Sequence, residues 1–165
     1  MAPRVISDGT DLRAAVGETV GPTAWRSVTQ EDIDLFARLS GDHQWIHTNV
    51  ERARRESPFG TTIAHGNLTL AMVDGFRDEL VRLDGFRLGV NLGYDRVRFP
   101  APVRAGARVR ACAELRGVEE RPDGWWQIVQ RFTVWAQETQ RPVCVADSVV
   151  RALAEDSGAP REPLG

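Results

Sequence analysis

The chain has 165 residues, of which 42% are hydrophobic and 27% are charged. This length suits one domain, and the composition is that of a globular protein rather than a disordered one. The formal net charge of −2 argues against a general affinity for nucleic acids or anionic membranes. No stretch approaches the roughly 18 apolar residues of a membrane span, and the N-terminus lacks the apolar core of a signal peptide. We therefore expect a soluble, cytoplasmic protein.

The two ends of the chain carry weaker signals than its middle. A short helix is expected near DLRAAVG, residues 11–17. Residues 156–165 are rich in proline, glycine and charge, which is typical of a flexible tail. We predict a single domain over residues 1–155, followed by this tail. The two cysteines, Cys112 and Cys144, match no metal or redox spacing and are expected to be free thiols.

The first strong helix signal is SVTQEDIDLFARLSGD, residues 27–42. Thr29 is placed to cap the helix N-terminus, and Asp32 is placed to reach back to it, in a variant of the capping box. Apolar residues then recur at helical spacing and predict one apolar face, formed by Ile33, Phe36 and Leu39. Ser40-Gly41 ends the pattern, so the next residues are expected to form a loop.

A short polar helix is predicted within TNVERARRESPFG, residues 48–60, and it should stop before Pro58. A longer helix of about five turns follows in NLTLAMVDGFRDELVRLDG, residues 67–85, and Asp84-Gly85 closes it. Its first half is apolar on all sides, which predicts complete burial. The residues of this apolar start are Leu68, Leu70, Ala71, Met72 and Val73.

From residue 88 onward the apolar period changes from helical spacing to two, which predicts long β-strands. Four strands are expected, at residues 88–99, 107–115, 124–138 and 142–153. The alternation predicts one shared face for Val109, Ala111, Ala113 and Leu115, and another for Trp126, Ile128, Gln130, Phe132 and Val134. A long buried helix followed by antiparallel strands indicates an α+β fold in which the sheet wraps around the helix.

The stretch SGDHQWIH, residues 40–47, holds an acid and two of the three histidines of the chain. Asp42 and His47 are close enough in sequence for a carboxylate and an imidazole to converge on one water molecule. Histidine gives or takes a proton near neutral pH, and an ionised aspartate accepts one or orients its partner. The alternative is structural, with Asp42 capping nearby amides and His47 bonding to a carbonyl. Trp45 either walls a pocket or attaches the loop to the core.

A metal site is a second interpretation of the same histidines. A metal centre that remains open to water needs about three protein ligands. No evident helix places His43 and His47 on one face. We therefore predict that Asp42, His43, His47 and His65 hold no metal ion.

The segment AHGN, residues 64–67, stands where the long helix begins. The first amides of a helix lack intrahelical partners, and the helix dipole favours negative charge there. Because Gly66 has no side chain, a substrate oxygen can approach its N–H group, which makes this residue a candidate oxyanion-binding donor. The alternative is that Gly66 only permits a tight turn into the helix.

The segment FARLSGDHQWIHTNVERARRESPFGTTIAHGNLTLAM, residues 36–72, resembles the MaoC-like dehydratases, also called (R)-specific enoyl-CoA hydratases. The wording HQWIH is most similar to the branch related to nodulation protein N. The resemblance implies a hot-dog fold, in which a curved antiparallel sheet wraps a long central helix. It also implies a homodimer whose two sheets join, with the active site at the interface.

The resemblance also implies roles for individual residues. Asp42 and His47 fall on the catalytic aspartate and histidine of the family motif GDxNPxH, and Gly66 falls on the residue with the oxyanion amide. Gln44, His65 and Asn67 are assigned with Gly66 to oxyanion and substrate binding. This sequence departs from the family pattern at three positions, where the usual asparagine, proline and serine are replaced by Gln44, Trp45 and Ala71.

The implied reaction is the reversible syn addition of water to a trans-2-enoyl thioester, which yields an (R)-3-hydroxyacyl thioester. The acyl carrier is coenzyme A or acyl carrier protein, and no cofactor is needed. We favour Asp42 as the base and His47 as the acid. Two alternatives remain: an acyl-thioester hydrolase that directs water to the thioester carbonyl carbon, and a non-catalytic acyl-binding subunit that pairs with an active partner.

Overall fold

The computed structural model describes residues 2–155, and the tail predicted for residues 156–165 lies outside this range. The helices are α1 (Gly9–Ala14), α2 (Gln30–Ser40), α3 (Trp45–Thr48), α4 (Val50–Glu56) and α5 (Gly66–Leu80). The strands are β1 (Arg4–Ile6), β2 (Thr19–Val20), β3 (Arg26–Ser27), β4 (Val81–Leu83), β5 (Phe86–Arg98), β6 (Arg108–Glu120), β7 (Trp125–Ala136) and β8 (Cys144–Ala154). Within the described range, no helix is both long and apolar enough to cross a membrane.

The four predicted long strands are confirmed, and they form one antiparallel sheet. Its order is β2-β6-β7-β8-β5, and β3 also pairs with β6. Register shifts interrupt the pairing of β5 with β8 at three places, which bends the edge of the sheet. The short N-terminal strands β1, β2 and β3 were not predicted, because a segment of two or three residues is too short to show the alternation of apolar and polar residues.

Helix α5 packs against the inner face of this sheet and forms the centre of the core. Its buried side chains Val73, Phe76 and Leu80 belong to the same cluster as Val109 and Phe132. The predicted inward faces of β6 and β7 are confirmed, since every residue named for them is at most 8% exposed. The α+β hot-dog architecture, with its central helix and curved antiparallel sheet, is therefore confirmed.

Two expectations for α5 are wrong. The helix ends at Leu80, because Val81–Leu83 leaves it as β4 and pairs in parallel with β1. The apolar start is also not completely buried, since Ala71 is exposed and Leu68, Leu70 and Met72 are half-buried. A helix that packs on one sheet buries one side, and here that side begins with Thr69 and Val73.

Helix α2 begins as the sequence predicts. Thr29 and Asp32 form a capping box in which each side chain bonds to the backbone N–H of the other residue. Its packed face differs from the expected one, because Ile33 and Ala37 are buried while Leu39 is 83% exposed. Helix α2 thus contacts the core along a narrower stripe than its apolar residues suggest.

Arg77 connects the second half of α5 to the sheet. Its Nη2 atom donates to Oγ of buried Ser148 on β8 at 2.6 Å. The guanidinium carbon lies 5.4 Å from the ring centroid of Phe132, and Nη2 lies 3.4 Å from Oδ1 of Asp74. These contacts oppose sliding of α5 along the sheet, so they also hold its N-terminus in place.

Candidate active site

The chain turns sharply at the end of α2 and brings Asp42 to the surface. Gly41 takes a left-handed conformation with φ of 78°, which ends the helix with little steric cost. The Asp42 N–H donates to Ser40 Oγ at 3.3 Å, and Asp42 Oδ1 accepts from the N–H of Gln44 at 3.2 Å. The predicted loop is in part wrong, because Trp45–Thr48 forms the short helix α3, which carries His47.

His47 is buried, and its contacts define which ring nitrogen is free. Nδ1 lies 2.7 Å from the carbonyl oxygen of Ile63, so Nδ1 donates and Nε2 carries the lone pair of the neutral ring. Burial is the main influence on the pKa of His47 and lowers it; the neighbouring His65 also lowers this pKa, while the Ile63 carbonyl and Asp42 raise it. The net lowering favours the neutral imidazole, which accepts a proton through Nε2.

His65 lies beside His47 and is only 3% exposed. Its Nε2 atom lies 3.0 Å from the backbone carbonyl oxygen of Asp42 and donates to it. The two imidazole rings are stacked, with 3.8 Å between centroids and 27° between planes. The Phe36 ring also contacts His65, at a centroid distance of 5.0 Å. The second nitrogen, Nδ1, is buried and has no hydrogen-bond partner.

Gly66 is the first residue of α5, and its amide belongs to the uncapped first turn. His65 occupies the N-cap position and makes no side-chain capping bond. A β-carbon added to Gly66 would lie 2.8 Å from ring atoms of Phe99, closer than real contacts allow. The absence of a side chain therefore lets Phe99 pack directly on the start of the helix, where the dipole attracts negative charge.

These residues line one open groove of about 360 Å³. Among the predicted site residues it contains Asp42, His47, His65, Gly66 and Asn67. Gln44 is exposed and lies outside the lining of this groove, so its role in substrate binding stays a prediction. Three further lining residues, Phe36, Ser40 and Phe99, were not predicted as site residues.

The three lining residues that were not predicted differ in the strength of their sequence signal. Phe36 and Ser40 lie in the last turns of α2, just before Asp42, so their closeness to Asp42 in the sequence is a usable signal. Phe99 follows β5 and is far from the motif in sequence, so no local pattern points to it. Trp45 stacks beneath Arg52 of α4, with 4.4 Å from the guanidinium carbon to the ring centroid. This contact favours the interpretation that Trp45 attaches the segment to its neighbours.

Asp42, His47 and His65 each offer one ligand atom, and these three atoms lie within 4.8 Å of one another, which is close enough for a candidate metal site. The lone pairs of an imidazole lie in the ring plane. The ring planes of His47 and His65 differ by only 27° at a centroid distance of 3.8 Å, so their lone pairs lie in two nearly parallel planes. They do not converge on a point about 2 Å from both nitrogens, as zinc requires. The expectation that no metal is held stays a prediction.

A family model described as "MaoC like domain" matches residues 11–125, which is most of the chain and includes every lining residue of the groove. This chain belongs to the MaoC-like dehydratase family. The predicted resemblance is therefore confirmed.

Two curated relatives match this MaoC-like chain over nearly its whole length. The 3-hydroxyacyl-thioester dehydratase Z of Mycobacterium tuberculosis is 46% identical over 151 residues, which cover 92% of this chain and 99% of the relative. Nodulation protein N of Rhizobium leguminosarum is 36% identical over 152 residues, which cover 92% and 94%. The second match agrees with the branch indicated by HQWIH.

Solved structures show the same fold. The monoamine oxidase regulatory protein of Archaeoglobus fulgidus superimposes with a TM-score of 0.73 at 26% identity, covering 92% of this chain and 97% of that one. An R-hydratase of Pseudomonas aeruginosa superimposes with a TM-score of 0.65 at 25% identity, covering 91% of each chain. Several curated relatives are named dehydratases or hydratases, and this MaoC-like protein is accordingly a hydro-lyase.

Proposed function

We propose that the protein catalyses the reversible, (R)-specific hydration of trans-2-enoyl thioesters to (R)-3-hydroxyacyl thioesters. The observation that carries this proposal is a single groove lined by the acid Asp42, the neutral imidazole of His47 and the first helical amide at Gly66. A hydratase needs a group that binds water, a group that takes its proton and a donor for the enolate oxygen. The groove offers all three within one space.

The spacing of the two acceptors suits one water molecule. A carboxylate oxygen of Asp42 and a ring nitrogen of His47 lie within 4.8 Å of each other. A water that donates two hydrogen bonds of about 2.8 Å at its tetrahedral angle spans acceptors about 4.6 Å apart. One water can therefore donate to both groups at once and present its oxygen lone pair to the substrate.

The hydration step transfers one proton from water to carbon through the protein. As the water oxygen bonds to C3, His47 Nε2 takes one water proton, and the electrons of the C2–C3 double bond move toward the thioester oxygen. The Gly66 N–H donates to the resulting enolate oxygen, whose negative charge the N-terminus of α5 stabilises. His47 then returns the proton to C2 from the same face, which is syn addition and regenerates the neutral ring.

This assignment reverses the preference drawn from the sequence. The Nδ1 bond to Ile63 and the lowered pKa leave His47 with a free lone pair, which makes it the base. Asp42 then holds and orients the water. Each atom and proton is accounted for by substrate, water and side chains, so the proposed reaction uses no cofactor.

The substrate class follows from the relatives. The 46% identical relative is named a 3-hydroxyacyl-thioester dehydratase, which supports a thioester of coenzyme A or acyl carrier protein as the substrate here. The R-hydratase with the same fold at 25% identity supports the (R) configuration of the product. The open groove receives the thioester carbonyl at Gly66 and the conjugated double bond beside the bound water.

A homodimer is part of this proposal. Strand β5 has 13 residues, and within residues 2–155 it pairs with β8 along one edge only. Val90 and Leu92 on this strand are 40% and 51% exposed. A long edge strand with exposed apolar residues is a template for another strand. A second copy that pairs with β5 joins two sheets and covers these side chains.

An assay with crotonyl-CoA tests the reaction. Loss of the enone absorbance without release of free thiol supports hydration, and chiral analysis should give the (R)-3-hydroxy product. Release of free thiol would instead mean that the protein is a thioester hydrolase.

Two matched variants test the site residues. Asp42→Asn keeps the oxygen that accepts from the Gln44 N–H, and His47→Asn keeps a donor near Ile63 but lacks Nε2. Each should lower kcat by about 10²- to 10⁴-fold. If both variants turn over at the wild-type rate, the assignment of these residues is wrong.

Light scattering of Leu92→Arg tests the dimer. The change should shift the mass toward the monomer, because a charge replaces an apolar contact at the joined edge. Val16→Arg is the matched control, since Val16 is 43% exposed and lies away from β5. Equal masses for the wild type and both variants at the monomer value would rule out the dimer.

A further inference from the structure

The His65 ring stacks on the His47 imidazole and bonds to the backbone carbonyl of Asp42, and His65 precedes the proposed oxyanion donor in the chain. We propose that His65 is a positioning residue, which sets the geometry of Asp42, His47 and Gly66 without touching the substrate. The inference rests on the proposed function, because Asp42, His47 and Gly66 need a fixed geometry only if they are the reacting groups.

The first contact holds the acid. The bond from His65 Nε2 to the Asp42 carbonyl oxygen at 3.0 Å joins segments 23 residues apart. The other bonds of Asp42 are local, since they involve only Ser40 and Gln44. Asp42 is itself exposed, so packing does little to hold it. The His65 bond is thus the one that ties the position of Asp42 to the start of α5.

The second contact holds the base. The His65 ring covers one face of the His47 imidazole at 3.8 Å and is itself contacted by Phe36. With Nδ1 bonded to Ile63, stacking leaves His47 a single ring orientation, in which Nε2 points away from Ile63. Two stacked imidazoles also resist carrying two positive charges, so His65 favours the neutral form of His47.

The third contact is covalent. His65 is the N-cap residue of α5, and the next amide in the chain is that of Gly66. The backbone position of His65 therefore also sets the position of the Gly66 amide. One buried residue fixes the distances among the water site and the enolate site, where a displacement of about 1 Å can cost 10²-fold in rate.

Burial separates this role from substrate binding. His65 is 3% exposed, and its Nδ1 atom is sealed from solvent without a partner. An unpartnered buried polar atom costs free energy that a phenylalanine of similar shape would avoid. The useful feature of the imidazole is therefore its Nε2 donor to Asp42, while Nδ1 is left without a bond.

Two substitutions separate the donor from the ring. His65→Gln places an amide N–H near the position of Nε2 and lacks the ring. His65→Phe keeps the stacked ring and lacks the donor. With crotonyl-CoA, His65→Phe should lower kcat about tenfold or more and change KM less than about twofold, and His65→Gln should retain kcat within about threefold.

A spectroscopic readout tests the arrangement independently of activity. The chain has three histidines, so nitrogen NMR of histidine-labelled protein resolves each ring. Neutral His65 should be the Nε2–H tautomer and neutral His47 the Nδ1–H tautomer.

Several results would overturn the positioning role. If His65→Phe has the wild-type kcat, the Nε2 donor has no role in the rate. Equal losses in both variants with a raised KM mean that the ring binds substrate. If His65→Phe fails to fold, an Nδ1–H tautomer of wild-type His65 still refutes the bond to Asp42. An inactive wild type with the expected tautomers would refute the proposed reaction and leave the arrangement standing.

Discussion

The carbonyl oxygen of Ile63 lies 2.7 Å from Nδ1 of His47, and this bond selects the tautomer of the buried ring. Ile63 is also bonded to α3, because the Ile63 N–H donates to the Ile46 carbonyl at 3.0 Å. Together, these two hydrogen bonds of Ile63 hold the His47 imidazole in one orientation. The lone pair of Nε2 is left for chemistry, which leads to the first prediction.

The rate of hydration should depend on pH through His47. Burial is the main cause that lowers the pKa of His47, and the neutral ring is the active base. The kcat/KM value should therefore be constant at neutral pH and fall as pH drops through this lowered pKa. Stability should change in the same direction, because the unfolded chain takes up the proton at higher pH than the folded chain does.

A pH series of initial rates at constant ionic strength measures this limb. An acidic limb centred above about pH 6.5, the ordinary histidine value, contradicts the assignment of His47 as a base with a lowered pKa. Thermal unfolding over the same pH range checks that the loss of rate is not a loss of fold.

Gly66→Ala should damage activity through Phe99. The new β-carbon would lie 2.8 Å from the Phe99 ring, so either the ring or the helix start must move. We expect kcat/KM to fall about 10- to 100-fold, because the amide donor leaves its position. Gly117→Ala is the control, since an added β-carbon there meets open space.

The steric cause can be separated from the loss of glycine itself. The double variant Gly66→Ala with Phe99→Leu has more room beside the new methyl group. It should recover part of the lost activity relative to Gly66→Ala. If the double variant is no better than the single one, contact with Phe99 is not the reason that residue 66 is glycine.

Arg77→Ala should destabilise the fold. It removes the donor to Ser148 and leaves that buried hydroxyl without its partner, which costs about 1–3 kcal/mol in the free energy of unfolding. Urea titration followed by tryptophan fluorescence measures the change. Arg54→Ala is the comparison, because Arg54 pairs with Glu51 on the surface and should contribute less than about 0.5 kcal/mol. Equal effects in the two variants would contradict the role of Arg77.

Thr29→Ala should loosen the start of α2. The Thr29 hydroxyl accepts from the Asp32 N–H at 3.2 Å, and Asp32 Oδ2 accepts from the Thr29 N–H at 2.8 Å. Loss of this cap should lower the free energy of unfolding by about 1 kcal/mol. Thr29→Ser keeps the hydroxyl and should remain near wild type. A melting curve in which serine and alanine behave alike would show that the hydroxyl contributes little.

Elements whose signals are local were predicted from the residues. The capping box at Thr29, the stop at Gly41 and the alternation of β6 and β7 all depend on neighbours within a few positions. The motif containing Asp42, His47 and Gly66 was assigned by its resemblance to a family, and the structure brings these residues to one groove. Short-range propensity and a recognisable motif thus sufficed for the fold class and for naming residues that share one groove, while the catalytic roles of these residues stay a prediction.

Features that depend on distant partners needed the tertiary structure. Val81–Leu83 continues a helical pattern, but β1 offers it backbone partners from the other end of the domain. Leu39 repeats at helical spacing, yet no element covers it. The contacts of His65 with Asp42 and His47, and of Phe99 with Gly66, join segments whose separation in sequence leaves no periodic trace. Burial and side-chain pairing depend on which residues lie next to each other in the folded chain. A sequence pattern reports only residues that are neighbours in the sequence.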